Sequence, residues 1–234
     1  MRRYLAFDLE IATDVPGDFN QWREHRPLGL SCAAAALQGG GEPLLWHGKG
    51  AGDRPAPRMS MEEVSAMVDE LVSRVEEGWT LLSWNGLGFD FEVLAEESGR
   101  LEDCRRLALE HVDMMFYVFC KKGYPIGLDP AAKGMGLAGK PEGMSGELAP
   151  KMWAEGRYDE VLAYVAQDVV TTLEVAEKAE AADALSWIAR SGRRMRLPLK
   201  DGFATVRETL ALPEPDTSWM STPLPRSRFT EWLG

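Results

Sequence analysis

The chain has 234 residues, 45% of them hydrophobic and 27% charged, which is enough apolar material to bury a full core. With 26 basic residues against 37 acidic ones its net charge is −11, which argues against binding a polyanion through overall charge. No apolar stretch approaches the 18 residues of a membrane span, and Cys32, Cys104 and Cys120 lack the paired spacing of a disulfide framework or a zinc site, so a reducing cytoplasm is the expected setting.

From the N-terminus, Tyr4-Leu5-Ala6-Phe7-Asp8-Leu9-Glu10-Ile11 is an apolar run that predicts a central strand. Arg2 and Arg3 precede it, but the two acids inside the run and the absence of a small-residue cleavage pattern argue against a signal peptide. Strand side chains alternate faces, so Asp8 and Glu10 point to the same side, where two acids suit a shared cation. Gly29 to Leu37 and Pro43 to Trp46, split by Gly39-Gly40-Gly41, predict a hairpin, which makes the first three strands an antiparallel meander. Ser60-Met61-Glu62-Glu63 has the form of a capping box, and Val64, Met67, Val68, Leu71, Val72 and Val75 give the helix behind it an apolar stripe. That helix leads into a second strand-like run, Trp79 to Trp84. Gly86 and Gly88 then turn the chain before a helix begins at Phe89-Asp90, leaving Asp90 near the mouth of the strand.

Glu110 to Phe116 predicts a short strand ending at Asp113, which caps a helix from Met114 to Lys122. His111-x-Asp113 also invites a metal reading, but no further His is placed to join it. Gly123 to Gly143, rich in Gly, Pro and Lys, has room for one short helix. It is either a solvated connector or a clamp in which Lys133 or Lys140 reaches substrate phosphates. Tyr158 to Ala179 has a helical apolar period, and Tyr164 and Asp168, four apart, share one face. Between Arg190 and Lys200 lie Arg190, Arg193, Arg194, Arg196 and Lys200 with no acid, a basic strip that is either an exposed helix end or a track for a single strand. Residues 212 to 234, with four prolines and Trp219, Phe229 and Trp232, predict an extended arm that packs on its own core or docks a partner.

Singly, an acid-x-acid in a strand, an Asp at a helix start and a Tyr four residues before an Asp are ordinary features. Their combination is more specific. Asp8-x-Glu10, Asn85-x3-Phe89-Asp90 and Tyr164-x3-Asp168, in this order and 82 and 78 residues apart, resemble the ExoI, ExoII and ExoIII motifs of DEDD-type 3′–5′ exonucleases. Tyr164 marks the DEDDy branch; the histidine branch has His five residues before the last Asp, where this chain has Ala163. Asn five residues before the second acid, with Phe directly ahead of it, is most similar to the proofreading domain of family B DNA polymerases and their free-standing bacterial relatives, which also carry a similar His-x-Asp. The resemblance runs from about residue 3 to 180 and continues more weakly into the arm.

The resemblance implies an α/β, ribonuclease H-like fold: a mixed five-stranded sheet, an antiparallel meander plus parallel strands, flanked by helices. Residues 1–185 are expected to form the exonuclease domain and 186–234 a basic segment and Pro-rich arm packed on it. The implied activity is removal of nucleotides from the 3′ end of single-stranded DNA as 5′-mononucleotides. The implied cofactors are two divalent ions, Mg²⁺ or Mn²⁺, held by Asp8, Glu10, Asp90 and Asp168, with Tyr164 orienting the attacking water. Leu9, Asn85 and Phe89, interleaved with these acids, are the expected substrate contacts, joined by Lys140 in the Gly-rich stretch and by Arg193 and Arg194 in the basic strip. RNA 3′-end trimming and a non-catalytic module that holds nucleic-acid ends are the alternatives. No membrane partner is expected, and a repair or replication partner would reach the chain through the arm.

Overall fold

Alternation in the first strand organises the molecule. A computed structural model describes residues 2–52, 54–139 and 145–234. In it β1 (Tyr4–Ile11) turns Leu5, Phe7, Leu9 and Ile11 into one apolar layer, while Tyr4 and Ala6, and with them Asp8 and Glu10, face the other. β2 (Leu30–Leu37) pairs antiparallel with β1, placing Ala34 opposite Asp8 and Cys32 opposite Glu10, and β3 (Leu44–His47) completes the meander. α1 (Met61–Glu76) starts at the capping box: Ser60 Oγ accepts from the Glu63 amide at 3.2 Å, and the Glu63 carboxylate accepts from the Ser60 amide at 2.8 Å. Its buried Val64, Met67, Val68 and Leu71 carry the chain across to β4 (Thr80–Ser83), parallel to β1.

α2 (Asp90–Ser98) and α3 (Leu101–Glu110) follow, then β5 (Val112–Asp113), parallel to β4, and α4 (Met114–Lys122). The sheet order is β3-β2-β1-β4-β5, the expected mixed five-stranded sheet. α1 to α4 cover one face; α5 (Leu128–Gly134), α6 (Ala149–Ala154) and α7 (Tyr158–Ala181) cover the other. The small side chains of Cys32, Ala34 and Ala36 on that second face let α7 lie close against the strands through Val161, Val165 and Val169.

The basic strip is not a helix end. It lies on a hairpin of β6 (Ala184–Ile188) and β7 (Arg194–Pro198), turned at Gly192. Period-two alternation explains this: Leu197 and Leu199 bury, while Arg194 and Arg196 point outward. The arm contains α8 (Val206–Leu210) and α9 (Ser227–Thr230) and returns to the first layer, where Phe229 packs against both Phe116 and Phe119, its ring centroid 5.6 and 4.8 Å from theirs. Among the described residues no helix is long and apolar enough to cross a membrane.

Candidate active site

The parallel pairing of β1 with β4 runs from Tyr4 to Ala6 and then stops. Beyond it the edge of β1 is open, and the Leu9 amide donates to Asp90 Oδ1 at 3.2 Å. The first residue of α2 thus takes over a backbone donor left by the diverging strands, which fixes Asp90 beside Asp8 and Glu10. This is the crevice at the carboxyl ends of parallel strands, where open α/β sheets place their ligands.

The loop between β4 and α2 is held from behind. Asp113 caps α4 by accepting from the Phe116 amide at 2.9 Å, and the same carboxylate accepts from the Asn85 and Leu87 amides, each at 3.0 Å. Burial pushes the Asp113 carboxyl up to about 6 despite these donors. His111 Nδ1 lies 2.6 Å from the Ala108 carbonyl and Nε2 lies 2.9 Å from Ser83 Oγ, which accepts from the Gly86 amide at 3.0 Å. Burial drives the imidazole down to about 4, so it is neutral, donating through Nδ1 and accepting through Nε2. The His-x-Asp pair therefore supports the loop and does not line the cleft. Asn85 adopts a left-handed φ of 77°, tolerable for Asn. A Cβ at Gly86 would strike Ser83, and one at Gly88 would stand 2.7 Å from both Asn85 Oδ1 and the Phe229 ring, so close approach explains both glycines.

Tyr164, Asp168 and Thr172, one turn apart on α7, join Asp8, Glu10 and Asp90 along an open cleft of about 690 Å³. Glu10, Asp90, Tyr164 and Asp168 are all buried, and Asp8 is partly so. Burial first, then the charges of Asp168, Glu10 and Asp8, raise the Tyr164 hydroxyl far above its ordinary range, and a hydrogen bond to Asp168 adds to this. Asp90 is raised chiefly by burial, and its carboxyl shares a hydrogen bond with that of Asp8. Among the described residues no group of three or more His, Cys, Asp or Glu side chains is arranged as it stands to hold a metal ion. The donor chemistry nevertheless fits a hard divalent cation: four carboxylates along one cleft, two of them in contact, with burial favouring a proton where a cation would otherwise serve.

Leu9, Asn85 and Phe89 also line the cleft. Lys140 lies outside the described residues. Arg193 and Arg194 lie on the β6–β7 hairpin and are not among the cleft residues; Arg194 donates to the Gly134 carbonyl at 2.5 Å instead. The cleft gains a set that sequence reasoning missed: Phe19, Asn20, Trp22 and Arg23 on a 3₁₀ helix (Phe19–His25), and Leu224, Arg228 and Phe229 from the arm. The only local signal for the first group is Asp18, which caps the Asn20 amide at 3.0 Å ahead of an aromatic pair.

A family model for the RNase H superfamily matches residues 54–180, more than half of the chain. The chain belongs to the RNase H superfamily. The superfamily match takes in Asp90, Tyr164 and Asp168 and begins after β1, which carries Asp8 and Glu10. Among solved structures the chain is similar to the family B DNA polymerase from the hyperthermophilic archaeon Pyrobaculum calidifontis, at 20% identity with a TM-score of 0.53 over 77% of this chain. It spans only 25% of that polymerase chain, and at this identity the likeness concerns the fold. No curated protein sequence matches the chain.

Proposed function

We propose that this RNase H superfamily member is a DEDDy-type 3′–5′ exonuclease that hydrolyses single-stranded DNA from its 3′ end and releases 5′-mononucleotides. One observation carries the reading: Asp8 and Glu10 from a strand, Asp90 from a helix start, and Tyr164 and Asp168 from a helix over 70 residues further on, all line a single open cleft. Four clustered acids are costly to bury and serve poorly as a plain binding surface for a polyanion. Nuclease chemistry gives them a purpose.

Asp8, Glu10, Asp90 and Asp168 are the residues to hold the Mg²⁺ or Mn²⁺ pair, which supplies activation of the attacking water and neutralises charge on the leaving 3′ oxygen. Asp90 also keeps the β1 edge in place through the Leu9 amide. Tyr164, protonated and directed at Asp168, orients water by hydrogen bonding and does not serve as its base. Leu9 and Phe89 present apolar surface to the terminal bases, and Asn85 holds the turn on which Phe89 sits.

The test is degradation of a 5′-labelled oligonucleotide, with its 3′ end free or blocked, in Mg²⁺ or Mn²⁺. The free-ended DNA is expected to shorten stepwise, the blocked one to persist, and Asp8→Ala to be inactive. No cleavage with either metal, or cleavage unaffected by Asp8→Ala, overturns the proposal; faster loss of a matched RNA reassigns the substrate.

A further inference from the structure

The cleft has a side whose chemistry differs from that of the acids. Arg23 and Arg228 both line it, but Arg23 is neutralised by Glu92 at 2.6 Å and Glu231 at 3.3 Å. Arg228 is held in another way. Its Nη2 donates to the Asn20 carbonyl at 2.9 Å, and among the described residues no carboxylate lies within ion-pair distance of it. The acid that senses its charge, Asp18, is engaged with the Asn20 amide and side chain at 3.0 and 2.8 Å. The backbone oxygen therefore orients a cation toward the cleft without cancelling its charge. Beside it Phe19, half-buried, packs at 5.5 Å from Phe89, whose ring also meets Trp22 edge-on at 5.0 Å. A fixed cation and an aromatic face in one groove suit a phosphate and a base of a single strand.

We infer that Arg228 and Phe19 form a substrate subsite, Arg228 binding a backbone phosphate and Phe19 stacking on a base, so that the C-terminal arm is part of the substrate-binding surface. This rests on the nuclease reading for the identity of the ligand. Both residues lie outside residues 54–180, the segment that the superfamily model matches.

The test is fluorescence anisotropy of a labelled single-stranded oligonucleotide, with Ca²⁺ in place of Mg²⁺, across a range of KCl. Arg228→Gln removes the charge and leaves a polar side chain; it is expected to weaken binding about tenfold and to flatten the slope of log K against log salt by about 0.7. Arg228→Lys is expected to retain the slope. Phe19→Ala is expected to weaken binding about tenfold with the slope unchanged, since stacking releases no counterion. Wild-type affinity and slope in Arg228→Gln, or no measurable binding by the unmodified chain, overturns the subsite. Absence of hydrolysis in Mg²⁺ with these binding differences intact bears on the nuclease reading alone.

Discussion

Tyr164 and His111 are both buried polar side chains close to the cleft, and their surroundings assign them different work. The phenol faces Asp168, Glu10 and Asp8 and stays protonated, so under the proposed mechanism its loss removes a hydrogen bond that orients water and leaves the acids in place. Tyr164→Phe is expected to lower kcat roughly 10- to 100-fold, the worth of one well-placed hydrogen bond, while Asp8→Ala lowers it beyond measurement; equal loss in both variants would contradict the assignment. His111 acts on stability. Its pKa is lowered from 6.5 to about 4, so the stability it contributes is full above 6.5 and is lost as pH falls toward 4. Asp113 is raised from 3.8 to about 6, so its contribution is full below 3.8 and is lost as pH rises toward 6. The two oppose each other between about 4 and 6. His111→Gln leaves Asp113 unopposed, and its deficit relative to the unmodified protein is expected to shrink by about 3 kcal/mol between pH 7 and pH 4. Urea unfolding at the two pH values measures this, and a pH-independent deficit would show that the imidazole does not titrate as its burial dictates.

At the level of elements, the loop from Ser83 to Phe89 is clamped on two sides. Asp113 holds the Asn85 and Leu87 amides, and on the other side Trp232 Nε1 donates to the Leu87 carbonyl at 2.8 Å while Phe229 packs against Gly88. The arm therefore supports the turn that sets Asp90. Phe229→Ala is expected to cost about 3–4 kcal/mol, as a buried aromatic truncation does, and to reduce activity even at temperatures where the protein remains folded. Calorimetry paired with the exonuclease assay checks both, and full activity in the folded variant would separate the arm from the site. The elements written plainly in the sequence are those with one dominant period: β1 and its alternation, α1 with its capping box, α7 with its valine stripe. Other elements had weaker local signals. The 3₁₀ helix at 19–25 buries a single residue, Trp22, too few to show a period. The β6–β7 hairpin was obscured because its exposed positions are arginines, which read as readily as a helix end.

Across the whole molecule, the sequence named the acids of the cleft because they are spaced by motif, but it could not name Arg228, whose place depends on an arm that crosses the fold to meet Asn20 more than 200 residues away. Arg193 and Arg194, conspicuous in sequence, sit outside the cleft because the hairpin that carries them packs on α5 and α7. Local charge density was a poor guide to the position of a cation. The chain's charge of −11 makes the cost of the acid cluster a property of the entire fold, since the long-range field offers little compensation. Cations that bind the folded cleft and not the unfolded chain stabilise by mass action, by about 2.7 kcal/mol at a hundredfold excess over Kd, or about 5–10 °C in Tm for a chain of this length. Because the carboxylates must shed protons to bind, and burial raises Asp90 above its ordinary range, the increment is expected to grow as pH rises from 5 to 8. Differential scanning fluorimetry with and without Mn²⁺ at both pH values reads it directly. Asp8→Ala, which removes a donor from the centre of the cluster, is expected to lose most of the increment; an equal shift in that variant would place the binding of the cation elsewhere on the acidic surface.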